Sequence, residues 1–190
     1  MYFAGPVASP REPTWLEDRV FLQILGGSPS SRLFTKLREE RGLVYSTWAH
    51  HYEFFDQRLA IIMADGAAKN GKEMAGLVWD ELQLMTRFDS GSELNRAKKE
   101  LSVSWLMKND DFQDRAANNA EDLHRLGKVD EISETIESLS KLTVEAIREA
   151  AKRFFQSNIS LAIHGQNRHL SNLSELKQRE FPTAGSSKAA

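Results

Sequence analysis

The 190-residue sequence contains no cysteine, which excludes disulfide bonds and thiolate metal sites. The lack of cysteine suits a bacterial cytoplasm or a periplasm equally well, so the compartment stays open. No apolar run approaches the roughly 20 residues that a membrane-spanning helix needs, and we expect a soluble protein. A large charge of one sign is also missing. The formal net charge of −2 argues against nucleic acid or an acidic membrane as a partner bound by bulk charge.

The composition is that of one folded domain, because 41% of the residues are apolar and can build a core. We expect residues 1–166 to form this single domain. Residues 167–190 are polar and are expected to form a partly disordered tail. The first residues already have the pattern of a strand, which suggests that the chain is a piece of a longer protein.

Strands are predicted at both ends of the domain, and mostly helices between them. The predicted strands are 2–8, 43–53, 57–65 and 159–164, the middle two forming an antiparallel hairpin with a turn of three or four residues. Apolar spacing predicts helices at 15–25, 30–41, 69–87, 91–107, 112–127, 131–141 and 144–155. Ser90 and Glu93 form a predicted capping box at the start of the fourth helix, and Thr143 is the predicted cap of the last. This order predicts an α+β fold, in which an antiparallel or mixed sheet of four to six strands carries helices on one face.

The segment from Gly26 to Ser46, GGSPSSRLFTKLREERGLVYS, is predicted to form a turn, a helix and the start of a strand. Ser30 or Ser31 is a candidate cap for the helix. Arg32 is assigned to its solvent side. Gly42 follows the last turn, where a left-handed residue is favoured. Arg38 in that turn and Tyr45 in the strand could therefore converge around a tight corner.

The same segment resembles the corresponding part of the pitrilysin and mitochondrial-processing-peptidase family of zinc metallopeptidases. A weaker resemblance covers residues 3–164, including LAIIMADG and SELNRAKKELSVSWLM. The fold that this resemblance implies is the same kind of α+β domain, with a sheet covered by helices on one side.

The zinc-binding motif of this family is absent from the sequence. It consists of His-x-x-Glu-His on a helix, where two histidines bind zinc and the glutamate activates a water molecule. None of the five histidines begins it. His50-His51-Tyr52-Glu53 comes nearest, but Phe54 replaces the second ligand, and on a strand residues i and i+4 lie about 13 Å apart. We expect no metal or other cofactor in this chain, and zinc in a partner domain.

The resemblance implies that Arg38 and Tyr45 are the site residues. Family members that resemble this half offer such an arginine and tyrosine, seven residues apart, to the zinc-bearing half. Arg38 would clamp a peptide carbonyl or carboxylate, and Tyr45 would donate to the oxyanion formed during cleavage, so both would support catalysis in trans and bind substrate. On spacing alone, a cation at a helix end and an ordinary strand aromatic explain both residues. Arg41 is the alternative arginine.

Three functions remain open at this point. The first is the non-zinc half of a zinc metallopeptidase, which would complete the peptide chamber of a zinc-bearing half and be inactive alone; a homodimer is a further arrangement to test. The second is a non-catalytic assembly or binding module with the same fold. The third, nucleotide binding, rests on the phosphate-loop-like stretch from Gly66 to Glu73, in which Glu73 replaces the hydroxyl that would hold magnesium.

Overall fold

A computed structural model describes residues 1–54 and 57–165, so the predicted tail at 167–190 lies outside the described residues. The elements in chain order are β1 Tyr2–Val7, α1 Trp15–Gly26, a π-helix Phe34–Glu39, β2 Val44–Phe54, β3 Gln57–Gly66, a 3-10 turn Ala68–Asn70, α2 Gly71–Met85, α3 Gly91–Asp110, α4 Phe112–Leu126, α5 Ile132–Ser140, α6 Val144–Gln156 and β4 Ser160–Ala162. Among these helices, none is both long and apolar enough to cross a bilayer.

The four strands form one antiparallel sheet in the order β2-β3-β1-β4. The ladder between β2 and β3 extends to the Phe54–Gln57 pair, one residue further along β2 than predicted, and the predicted turn falls partly outside the described residues. The last strand is shorter than predicted and pairs with the beginning of β1. The architecture confirms the predicted α+β class, with the sheet at the lower end of the expected size.

One face of the sheet is buried under helices. Alternate residues such as Phe3, Ala49 and Ile62 are almost completely buried, as expected when every second side chain of a strand points to the core. Helix α1 lies against β2 so closely that a Cβ at Gly26 would come within 2.7 Å of the Ala49 backbone nitrogen. Glycine at this position therefore permits the helix to pack on the strand.

The predicted helix after Gly26 forms, but it is wound differently from an ordinary α-helix. The Glu40 N–H donates to the Thr35 carbonyl at 2.9 Å, which is the i to i−5 bond of a π-helix. The predicted serine caps are wrong. Ser30 Oγ donates to Glu100 instead, and Ser31 Oγ is buried without a hydrogen-bond partner among the described residues.

The end of this helix matches the prediction, since Gly42 has a φ of +59°. Its N–H donates to the Arg38 carbonyl at 3.2 Å, and the Leu43 N–H donates to the Leu37 carbonyl at 2.9 Å. A left-handed glycine with such bonds terminates a helix and turns the chain sharply. The helix therefore leads directly into β2 around a fixed corner.

Candidate functional site

Arg38 lies at this corner, where its guanidinium bridges the helix and the strand. Its Nη1 donates to the Val44 carbonyl at 2.9 Å and also to the Tyr45 carbonyl. Its other donors, Nε and Nη2, make no hydrogen bond or ion pair within residues 1–54 and 57–165. The side chain is exposed, so one edge of the guanidinium holds the corner and the rest faces solvent.

Tyr45 lies in a β-bulge at the beginning of β2. Val44 pairs with Gly66 and Ser46 pairs with Asp65, which leaves Tyr45 as an extra residue in the ladder. A bulge bends a strand and re-aims a side chain. The Tyr45 side chain is 72% exposed, the largest exposure among the big apolar and aromatic side chains of the described segments.

The structure thus brings the two predicted site residues to one solvent-exposed corner, joined by the bond from the Arg38 guanidinium to the Tyr45 carbonyl. Neither side chain lies among buried apolar neighbours. A guanidinium with unused donors can bind an oxygen anion or a carbonyl, and an exposed phenol can donate one hydrogen bond. Their roles stay a prediction.

Arg41, the alternative arginine, points elsewhere. Its Nη1 lies 3.7 Å from Glu73 Oε1 at the start of α2, and both side chains are about half exposed. Exposed pairs of this kind contribute little to stability. In the described part of the chain Arg41 makes no bond to the Tyr45 backbone, so the geometry favours Arg38.

The prediction that Arg32 lies on the solvent side of the helix is wrong. It is half-buried, and its Nε and Nη2 donate to the two Glu93 oxygens at 2.7 and 3.0 Å. Its guanidinium also lies over the Phe88 ring, 5.4 Å from the centroid. The start of the helix that carries Arg38 is thereby fixed to α3 and to the residues after α2.

The Arg32–Glu93 pair explains the pKa of Glu93. It also shows that only one of the two hydrogen bonds of the predicted capping box forms. Burial alone would raise the pKa of Glu93, but the hydrogen bonds and charge of Arg32 outweigh burial, so the pKa is lowered. Ser90 Oγ accepts from the Glu93 N–H at 3.3 Å, as expected for a capping box. The Glu93 carboxylate binds Arg32. The capping motif was recognisable in the sequence, but its partner 61 residues away was not.

The histidines nearest to a zinc motif are split between the two faces of the sheet. His50 stacks on Trp48 with ring centroids 5.5 Å apart, whereas the half-buried His51 faces the helices, where Arg19 Nη1 lies 3.0 Å from its Nδ1. Within the described ranges, no three His, Cys, Asp or Glu side chains are grouped so that they could hold a metal.

The phosphate-loop-like stretch runs from the last residue of β3 into the first turn of α2, but its setting differs from that of a nucleotide site. The sheet is antiparallel throughout its described strands, whereas phosphate loops belong to parallel sheets. Glu73 lies in the first turn of α2, where its charge would oppose a phosphate. The nucleotide hypothesis therefore receives no support from the geometry.

Comparison with known proteins identifies the family. The family model for the peptidase M16 inactive domain matches residues 1–101, more than half of the chain. The chain belongs to this family. The match includes both Arg38 and Tyr45, and it confirms the resemblance to zinc metallopeptidases that the Gly26–Ser46 segment indicated.

Relatives of this M16 domain are named as zinc proteases. The protein YmxG of Bacillus subtilis, described as an uncharacterized zinc protease, is 26% identical over 145 residues, which are 76% of this chain and 36% of the relative. An uncharacterized zinc protease of Rickettsia felis is 28% identical over 148 residues, 76% of this chain and 35% of its own. The chain thus spans about a third of the length of these relatives.

Solved structures share the fold. The peptidase M16 inactive domain from Pseudomonas fluorescens has a TM-score of 0.70 at 21% identity and covers 80% of this chain and 37% of its own. A chain of complex III from Candida albicans has a TM-score of 0.74 at 15% identity and covers 83% of this chain and 40% of its own. At these identities the likeness concerns the fold alone.

Proposed function

We propose that this chain is the non-zinc half of a zinc metallopeptidase and completes the peptide-binding chamber of a zinc-bearing half. Membership of the M16 inactive-domain family supports this proposal, together with relatives named as zinc proteases. The sequence lacks His-x-x-Glu-His, so the zinc, which activates the attacking water, belongs to the partner.

The observation that carries the proposal is the corner at which Arg38 and Tyr45 meet. Arg38 uses Nη1 to hold the strand and keeps Nε and Nη2 for a peptide carbonyl or carboxylate. Tyr45 presents its phenol from a bulge, where it can donate to the oxyanion of the tetrahedral intermediate. The Arg38 guanidinium is held by two backbone carbonyls before substrate arrives, which limits the reorganisation needed during reaction.

The test mixes the chain with a zinc-bearing half of the same family and follows cleavage of a quenched fluorescent peptide. Loss of one oxyanion donor costs about 10²–10³ in kcat, so Tyr45→Phe should lower kcat by that factor. Arg38→Ala should lower kcat/KM through weaker peptide binding. Matched controls are Tyr52→Phe, an exposed tyrosine on the same strand, and Arg41→Ala at the same helix end.

Cleavage at the wild-type rate by both Tyr45→Phe and Arg38→Ala would refute the assigned roles. A stable complex that cleaves no peptide, with either residue changed or unchanged, would instead favour the non-catalytic assembly module. If the two controls lose as much activity as the site variants, the corner has no special role.

A further inference from the structure

A second concave site lies at the opposite end of β2 from Tyr45. It is a cavity of about 260 Å³ between α1, the β2–β3 hairpin and the helices α3, α4 and α5. Glu53 in its wall is eight residues along the strand from Tyr45, which corresponds to roughly 25 Å. A liquid water molecule occupies about 30 Å³, so the cavity has room for about nine waters or a ligand of dipeptide size.

Arg19 gives this cavity a half-buried positive charge that forms no ion pair with a carboxylate in the described residues. In the described residues its guanidinium makes one side-chain contact, from Nη1 to His51 Nδ1 at 3.0 Å. Burial lowers the pKa of Arg19 to about 10, and the neighbouring charge of Arg58 adds to this effect. Removing a cation from water without a counterion is unfavourable, and a bound anion would offset that cost.

Arg58 strengthens the positive wall. It is 95% buried, lies over the Trp15 ring and forms an ion pair with Glu53, while its Nε has no hydrogen-bond partner within residues 1–54 and 57–165. Lys108 at the end of α3 also lines the cavity. Three cations thus share this wall with one carboxylate, so an oxygen anion is favoured there.

The far wall has the opposite charge. Asp122 and Asp130 line it, and the exposed Lys128 forms an ion pair with Asp130 at 2.7 Å. Burial raises the pKa of Asp122, while the hydrogen bond from the Asp130 backbone lowers it and the Asp130 charge raises it. The rings of Trp15 and Trp105, 6.4 Å apart, provide an apolar side between the two walls. A ligand that satisfies both walls carries an anionic and a cationic end on a short body.

We propose that this cavity binds a small zwitterion of the amino-acid or dipeptide class, with its carboxylate on Arg19 and its ammonium group toward Asp122 and Asp130. This site is separate from the Arg38–Tyr45 corner, and it does not depend on the proposed peptidase role. It would let the domain bind an amino acid or a short peptide at the end of β2 that lies away from that corner.

The first experiment titrates the intact chain with glycylglycine, acetate, methylammonium and inorganic phosphate at constant ionic strength. Two of the four tryptophans line the cavity, so glycylglycine should shift the indole NMR signals of Trp15 and Trp105 and leave those of Trp48 and Trp79 in place. Acetate and methylammonium alone should bind at least tenfold more weakly. Tighter binding of phosphate than of glycylglycine, or no indole shift with any probe, would overturn the proposal.

The second experiment separates a ligand site from a purely structural cation. A half-buried cation without a counterion loses favourable hydration in the folded protein, so Arg19→Met should keep or raise Tm while weakening glycylglycine binding at least tenfold. Arg87→Met, an exposed arginine after α2 that lies outside the cavity and makes no side-chain hydrogen bond or ion pair in the described residues, is the matched control and should change neither Tm nor affinity. A lower Tm for Arg19→Met with unchanged affinity would refute the assignment.

If Arg19→Met does not fold, two surface variants carry the same test. Lys108→Met and Asp122→Asn lie on the walls that should hold the carboxylate and the ammonium group. Each should weaken glycylglycine binding several-fold. Unchanged affinity in both would exclude a zwitterion bridging the two walls.

Discussion

The most informative single substitution at the proposed site is Gly42→Ala, because it tests the corner without touching either functional side chain. Gly42 has a φ of +59°, and a Cβ placed there would meet no atom within 4 Å. The cost therefore comes from the backbone alone, about 1–2 kcal/mol for an L-residue in the left-handed region. Alanine also restricts the unfolded chain, which offsets about 0.4–1 kcal/mol. The expected net loss of unfolding free energy is about 1 kcal/mol.

Gly127→Ala is a matched control elsewhere in the fold. Gly127 ends α4 with a φ of +73°, and its Cβ would also meet no atom within 4 Å. Urea unfolding should show a loss of about 1 kcal/mol for both variants, and Tm should fall by about 2–4 °C in a protein of this size. Equal stability losses make the two variants comparable in an activity assay.

Peptide cleavage should distinguish Gly42→Ala from Gly127→Ala. Gly42 turns the chain between Arg38 and Tyr45, and its N–H bonds the Arg38 carbonyl. In the mixed assay with a zinc-bearing half, we expect Gly42→Ala to lower kcat/KM and Gly127→Ala to leave it unchanged. Equal activity of the two variants would refute the view that this corner positions the site. A stability loss above about 3 kcal/mol for Gly42→Ala would show that the corner supports more of the fold than backbone geometry indicates.

Three further predictions concern the buried face of the π-helix, the cap of α4 and the Arg32–Glu93 pair. Leu37→Ala should cost about 2–5 kcal/mol in urea unfolding because the side chain is fully buried on the core-facing side of the π-helix, and a loss below about 1 kcal/mol would contradict this. Asp111→Ala should cost about 1 kcal/mol and increase amide hydrogen exchange in the first turn of α4, which the Asp111 carboxylate caps; unchanged exchange would argue against the cap. The pKa of Glu93 is lowered in the folded protein, so the unfolded chain binds its proton first as pH falls, and the stability from the Arg32 pair is lost below about pH 4.5. Glu93→Gln should flatten this part of the stability profile, and an unchanged slope would exclude the pair as its cause.

Sequence reasoning succeeded where the determining signal is local. The chain reversal at Gly42 follows from a glycine placed directly after an apolar helical stripe, because few other residues adopt a positive φ at low cost. The Thr143 cap follows from a hydroxyl before an apolar run, and its Oγ accepts from the Ala146 N–H at 3.3 Å. Strand alternation in the same way gives the buried face of the sheet.

Long-range contacts could not be read from the sequence. The Arg32–Glu93 pair joins residues 61 positions apart, and the cavity around Arg19 requires α1 to lie beside the β2–β3 hairpin. A helical pattern shows only that Arg32 lies off the apolar stripe. It does not show whether solvent or another helix is opposite. In the folded protein Arg32 packs against α3. A residue predicted to lie at the surface therefore links the start of its helix to α3.

The π-winding and the bulge are the two irregular elements of the site, and they lie on either side of Gly42. Each lowers the regularity of its hydrogen bonding, and each changes the direction of the side chains it carries. Regular alternatives existed, since the segment has the apolar spacing of an α-helix and β2 continues as an ordinary strand after Ser46. Departures from local preference that coincide at one exposed arginine and one exposed tyrosine are expected where position is selected at the expense of stability. Their coincidence supports the proposal that the corner exists to present Arg38 and Tyr45 together.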